Sequence, residues 1–287
     1  MTGAAKKHTT LGRFAHEGAT AIQAKDGRCV VYSGDDDDNR CLYKFISDKP
    51  GSLESGTLYV ASLALRKWIP LEIDEHEVLK RNFSDQLDVM IRCRQAAVAV
   101  GGSLLDRPEG VDIEPGTNAV YVSFTNNANR GNPYGSIFKI IEKNGDPASL
   151  EFEYSTFLQG GIETGVVCPD NLAFDKKGNL WVCTDISGKA MNKAPYAEFK
   201  NNSIFVIPIR DGNAGKPLLV GLAPHDAEFT GPCFSPDGET LFVSIQHPGD
   251  ESKSLDEFTS TWPLGGSRQP KSAVIAITGA TLAKIMS

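Results

Sequence analysis

Five carboxylates and one arginine hold most of the chemistry that this 287-residue sequence offers. Glu17 stands in HEGA, Glu109 in RPEG, Asp170 in PDN and Glu228 in AEFTGPCF, each at or just ahead of a short apolar run that reads as a strand. Asp36 lies in SGDDDDN, directly behind the strand-like VVY. Carboxylates brought together repel one another unless a cation neutralises them, and an oxygen-rich set suits a hard metal, calcium first. The same five could instead serve turns and caps facing water. Arg107 adds a permanent cation immediately before Pro108 and Glu109. It either closes a salt bridge to Asp106 or Glu109, or acts as an anion clamp, because a guanidinium fork matches phosphate and can stabilise charge developing in a transition state.

Other chemistries lack their residues. The sequence has no G-x-S-x-G, P-loop, G-x-G-x-x-G or H-E-x-x-H, which removes support for nucleophile-elbow, NTPase, Rossmann and zincin mechanisms. Asp35 to Asp38 do not have the D-x-D-x-D-G spacing of an EF-hand; Asp35 or Asp36 could add a ligand, whereas Asp37 and Asp38 are expected to face solvent. His247 reads as a hydrogen-bonded loop residue. The six cysteines have no C-x-x-C pair and are expected to be small hydrophobes inside strands, with disulfides the lesser alternative.

The elements that must position these residues come from a weak internal repeat. HEGATAIQAKDGRCVVYSGDD, PEGVDIEPGTNAVYVSFTNN, PDNLAFDKKGNLWVCTDIS and GPCFSPDGETLFVSIQHPG share one plan: a short apolar strand, a turn rich in Asp, Pro, Gly or Asn, and a second strand with an aromatic residue at Tyr32, Tyr121, Trp181 or Phe242. The separations from Glu109 to Asp170 and from Asp170 to Gly231 are equal and slightly exceed the ~40 to 50 residues of a propeller blade, so each copy suits a blade with a longer outer loop. CLYKFIS, GTLYVASL, GSIFKIIE, LEFEYSTF, NSIFVIPI, KPLLVGL and SAVIAIT supply further strands. The fold class is therefore all-β, a partial propeller of about four blades forming one domain over 1–287. A helical insertion over 72–102 separates two blades, with its helix from about Asp85 to Val100 behind a Ser84 N-cap. Residues at the start of each innermost strand point toward a propeller's channel, which would place Glu17, Glu109, Asp170 and Glu228 around one axis. The matching rim positions are Asn126, Asn127, Asp185, Gln246 and His247.

Composition excludes several partners. A net charge of −7 without any Lys/Arg run does not suit nucleic acid or an anionic membrane, and no stretch approaches the ~20 apolar residues of a span. The N-terminal MTGAAKKHTT has two lysines and no apolar export core behind them, which leaves the compartment open.

GRFAHEGA, VVYSGDD, RQAAVAVGGSLLDRPEG, VYVSFTNN, CPDNLAFDKKGNLWVCTD, GPCFSPDGETLFVSIQHPG and the closing STWP resemble, in order, the C-terminal half of the PhoX-type alkaline phosphatases, from about Leu11 to Ile277. The resemblance implies a six-bladed propeller of the periplasm or secreted space, with calcium and iron at its axis, that hydrolyses phosphate monoesters. It further implies that Glu17 and Glu109 are metal ligands, that Arg107 contacts the substrate phosphate, and that Asp170 and Glu228 are further acidic positions. Such relatives are about twice as long, and their N-terminal half brings the remaining blades and a cysteine iron ligand; a partner chain supplying those blades is one expectation. Two rival readings stand beside it. PDNLAFDKKGNLWVCTD also looks like the repeat of the calcium-dependent gluconolactonase-type propellers, and a non-catalytic propeller subunit would use the same elements.

Overall fold

The computed structural model describes residues 5–285. The chain runs through β1 (His16–Gln23), β2 (Arg28–Asp35), β3 (Asp38–Arg40), β4 (Leu42–Pro50), β5 (Gly56–Ser62) and β6 (Lys67–Pro70). Three short helices come after them: α1 (Glu77–Asn82), α2 (Gln86–Ile91) and α3 (Cys93–Ala99). Next come β7 (Leu105–Asp106), β8 (Pro108–Ile113), β9 (Val120–Phe124), β10 (Ser136–Glu142), β11 (Phe152–Gln159), β12 (Pro169–Phe174) and β13 (Leu180–Thr184). The last elements are β14 (Ser203–Ile207), β15 (Leu218–Leu222), β16 (Glu228–Phe234), β17 (Leu241–Gln246), β18 (Ala273–Ile277) and α4 (Ala280–Ile285).

Four meander sheets carry the fold, in the orders β1-β2-β4-β5-β6, β11-β10-β9-β8, β12-β13-β14-β15 and β16-β17-β18, with β3 and β7 forming a separate pair. This is an all-β architecture of four propeller blades. Each of the four repeated hairpins supplies the first two strands of one sheet, and all seven additional strand segments are strands. The turn of the third copy shows why these segments close as they do. Asp175 accepts from the backbone N–H groups of Lys177 and Asn179, each at 2.9 Å, and from Trp181 Nε1 at 3.0 Å, while Gly178 takes the left-handed backbone the turn needs.

Two compact units divide the chain. The first holds Met1–Val111, Thr117–Val120 and Ile140–Ser155; the second holds Asp112–Gly116, Tyr121–Lys139 and Thr156–Ser287. In the first, the helices pack on the first sheet, with Leu79, Val89, Ala96 and Ala97 against Tyr43, Phe45, Leu58 and Val60. The second centres on Trp181, Ile204, Val206, Phe229, Val243 and Ile245.

The helical segment differs from expectation. In place of one helix over about Asp85–Val100 there are two, α2 and α3, interrupted at Arg92, where ψ turns to 35°. Arg92 folds back on the preceding turn, donating to Asp88 at 2.7 Å and to the Asn82 carbonyl at 2.8 Å. The N-cap is Asp85, whose carboxylate accepts from the Asp88 N–H at 2.8 Å, one residue beyond Ser84. None of the six cysteines is in a disulfide; four are buried, Cys29 is half-buried and Cys233 exposed.

Candidate active site

The strands β1, β12 and β16 share a device that aims side chains. An extra residue is inserted opposite the second strand of the hairpin between Glu17 and Thr20, between Pro169 and Leu172, and between Thr230 and Cys233. Such bulges bend the strand and re-aim the side chains beyond the bend. In two of them the bulged residue is a glycine at positive φ, Gly18 and Gly231.

Within the first unit, the strand beside Glu17 abuts the strand that carries Glu109. Gly34, which pairs with Glu17, is so close to β8 that a Cβ there would lie 2.1 Å from the Pro108 carbonyl oxygen, and Thr20 Oγ1 donates to the Val111 carbonyl at 2.5 Å. Glu109 is buried and ion-paired with Arg107 Nη2. Arg107 stands at positive φ and directs Nε and Nη2 to one oxygen of Asp36, at 3.1 and 3.0 Å. The salt bridge is therefore the arrangement found, made to Glu109 and, unexpectedly, to Asp36. Asp35 is fully buried and taken by the guanidinium of Arg94 from α3, whose Nε lies 2.8 Å from Oδ2. Asp37 keeps a side chain 47% exposed while pairing with Arg40 at 3.1 Å, and Asp38, partly buried, lies in the β3–β7 pair.

The second unit presents Asp170 and Glu228, both buried. Asn171, within the β12 bulge, organises the region: its Nδ2 donates to Asp170 Oδ1 at 2.7 Å, while its Oδ1 accepts from Thr230 Oγ1 at 2.6 Å and the Gly231 N–H at 2.5 Å. Two neighbouring bulges are thus tied by one amide. Ser123 Oγ donates to the Asp170 carbonyl at 2.6 Å. His247 Nε2 lies 3.4 Å from Glu228 Oε1, with Nδ1 3.3 Å from the Asp226 carbonyl, so this histidine is hydrogen-bonded in its loop. Cys183, opposite the β12 bulge, is pushed well up as a thiol by burial first, then by the charges of Asp170 and Glu228. Asn126 donates to Cys168 Sγ at 3.3 Å.

These donor sets do not form a metal cage. Among the described residues no three His, Cys, Asp or Glu side chains come close enough together to hold an ion. The physical reason is that nitrogen groups already face the expected ligands: Arg107 on Glu109 and Asp36, His247 toward Glu228, and Asn171 on Asp170. As they are arranged, the side chains fit neither calcium nor iron.

A family model for alkaline phosphatase PhoX matches residues 2–249. The chain belongs to the PhoX family. A solved structure of Pseudomonas fluorescens PhoX, in complex with the transition state analogue vanadate, superposes with a TM-score of 0.81 at 33% identity, covering 95% of this chain and 54% of that one. A gluconolactonase of Zymomonas mobilis is 26% identical over 176 residues, 61% of this chain and 42% of the relative. The chain thus spans about half the length of the relatives it matches. Among the described residues no helix is long and apolar enough to cross a membrane.

The hydrogen bonds of this region single out two residues that sequence reasoning passed over. Arg94 opens the segment RQAAVAVGG, where a lone cation in an apolar stretch was the available signal for a buried acidic partner. Asn171 stands directly after Asp170 in PDN; an amide is the side chain that can donate to one neighbour and accept from two others.

Proposed function

We propose that this chain carries the phosphate-binding part of a phosphoric monoester hydrolase, with Arg107 as the group that takes phosphate oxygens. The observation that carries this reading is the position of Asp36, one of whose oxygens accepts from both Nε and Nη2 of Arg107. A substrate phosphate oxygen would bind a guanidinium fork in the same manner. The Asp36 side chain is 36% exposed and can be displaced by an anion arriving from solvent, whereas the 3%-exposed Glu109 stays and fixes the fork's orientation. Membership of the PhoX family supports the reaction class.

The test pairs binding with turnover. Inorganic phosphate titrated calorimetrically into the purified chain should bind, and Arg107→Ala should abolish that binding. Hydrolysis of a chromogenic phosphate monoester at alkaline pH, with calcium and iron supplied, should disappear in the same variant. Phosphate binding that survives in Arg107→Ala refutes the role given to the arginine. Turnover of a sugar lactone without turnover of the phosphate ester would move the assignment to the gluconolactonase-type reading.

A further inference from the structure

A cleft of about 510 Å³ opens in the first unit between residues 7–19 and helix α2. Its wall on α2 is formed by Leu87 and Ile91, one helical turn apart, which remain 58% and 45% exposed although the same helix already buries Val89 and Met90. A six-residue helix with apolar side chains on both its inner and outer faces is left with one face to cover. Opposite stands an aromatic pile: the Phe14 ring stacks on His16 at 3.6 Å and on Tyr43 at 4.2 Å. A smaller cavity shares Leu11, Phe14 and His16 with the cleft and is lined further in by Val31, Phe45 and Leu58.

The mouth has a definite charge. Lys7 and Arg13 line the cleft, no acidic residue does, and neither cation has a carboxylate partner among the described residues. His16 contributes no free polar group, since Nδ1 faces Ser33 Oγ at 3.2 Å and Nε2 the Gly12 carbonyl at 3.1 Å. In a chain of net charge −7, two unpaired cations over an apolar floor select for one kind of small molecule.

We propose that this cleft is a binding site for a compact amphipathic anion: an apolar body lying against the Leu87–Ile91 wall and beside the Phe14 stack, with one acidic group at Lys7 and Arg13. The site is separate from Arg107 and does not depend on the hydrolase reading.

Calorimetric titration of the full chain with 2-naphthalenesulfonate, beside the uncharged 2-naphthol, tests it. The sulfonate should bind at one site per chain and the naphthol about tenfold more weakly. Arg13→Gln combined with Lys7→Gln should weaken the sulfonate by about the same factor, while Leu87→Asp with Ile91→Asp should remove binding. All four positions are exposed or partly exposed, so thermal midpoints should stay near that of the parent chain. Arg107→Ala should leave the sulfonate affinity unchanged, which separates this site from the phosphate site. Absence of saturable sulfonate binding, retention of binding in the Leu87/Ile91 variant, or equal affinity for naphthol would each overturn the proposal.

Discussion

The two carboxylates on Arg107 are unequal, and the inequality can be measured. The Glu109 side chain is 3% exposed, that of Asp36 36%, and the arginine between them 24%. Removing one partner of a buried pair strands a charge without water and costs on the order of 3–5 kcal/mol, while a solvent-exposed pair contributes about 0.2–1 kcal/mol. Because Arg107 is itself partly hydrated, Arg107→Met should fall near the lower end, at about 3 kcal/mol. Glu109→Gln in that background removes the stranded charge, so a double-mutant cycle in urea should give a coupling of about 2 kcal/mol, against less than about 1 kcal/mol for the Arg107–Asp36 cycle. Phosphate binding should show the same asymmetry from the other side. Asp36→Asn removes the internal competitor and should tighten inorganic phosphate by up to about fivefold, the equivalent of about 1 kcal/mol. Glu109→Gln leaves the fork unanchored and should weaken it. Two equal coupling energies, or an Asp36→Asn variant that loses phosphate, would refute the assignment of Asp36 as the exchangeable anion and Glu109 as the anchor.

Other perturbations test the same geometry. Lys44 and Glu142 form a fully buried pair at 2.9 Å, and burial pushes the Lys44 ammonium down to about 8; between about pH 8 and 10 the unfolded chain then holds a proton that the folded chain has lost, so this group makes stability rise with pH. Burial and Glu142 hold Tyr32 well above its ordinary range, which confines the window to below about pH 10; the urea midpoint of the parent relative to Lys44→Met should climb across it, and a decline would contradict the sign. Gly34→Ala would place a Cβ 2.1 Å from a carbonyl oxygen that belongs to backbone. That substitution should cost at least about 3 kcal/mol in urea unfolding. Asp175→Ala strands the N–H groups of Lys177, Asn179 and Trp181 and should lower stability by about 2–3 kcal/mol; a change under about 0.5 kcal/mol would show that water replaces the carboxylate.

How far the sequence reveals this arrangement depends on the range of the interaction concerned. The strands were legible because burial on one or both faces of a sheet leaves a period-two or continuous apolar pattern, and VYVSF, LWVCT and SIFVI are buried throughout as such runs require. The break at Arg92 was not, since no Pro or Gly marks it and its cause is a side chain reaching back to Asp88 and Asn82. The carboxylates show the limit most clearly. The repeated hairpin suggests equivalent positions, yet Glu17 precedes the bulge of β1, Asp170 lies inside that of β12, and Glu228 opens β16 ahead of its bulge. A one-residue insertion in a ladder turns a side chain toward a different neighbour. Where each carboxylate points is accordingly decided by the group that meets it: Arg107, two residues before Glu109; Asn171, directly after Asp170; and His247, from the loop beyond β17, at Glu228. A repeat in sequence thus fixes which strand carries an acidic residue, while the non-repeating partners Arg107, Asn171 and His247 decide whether that residue is an anchor for a cation or a group held ready for exchange.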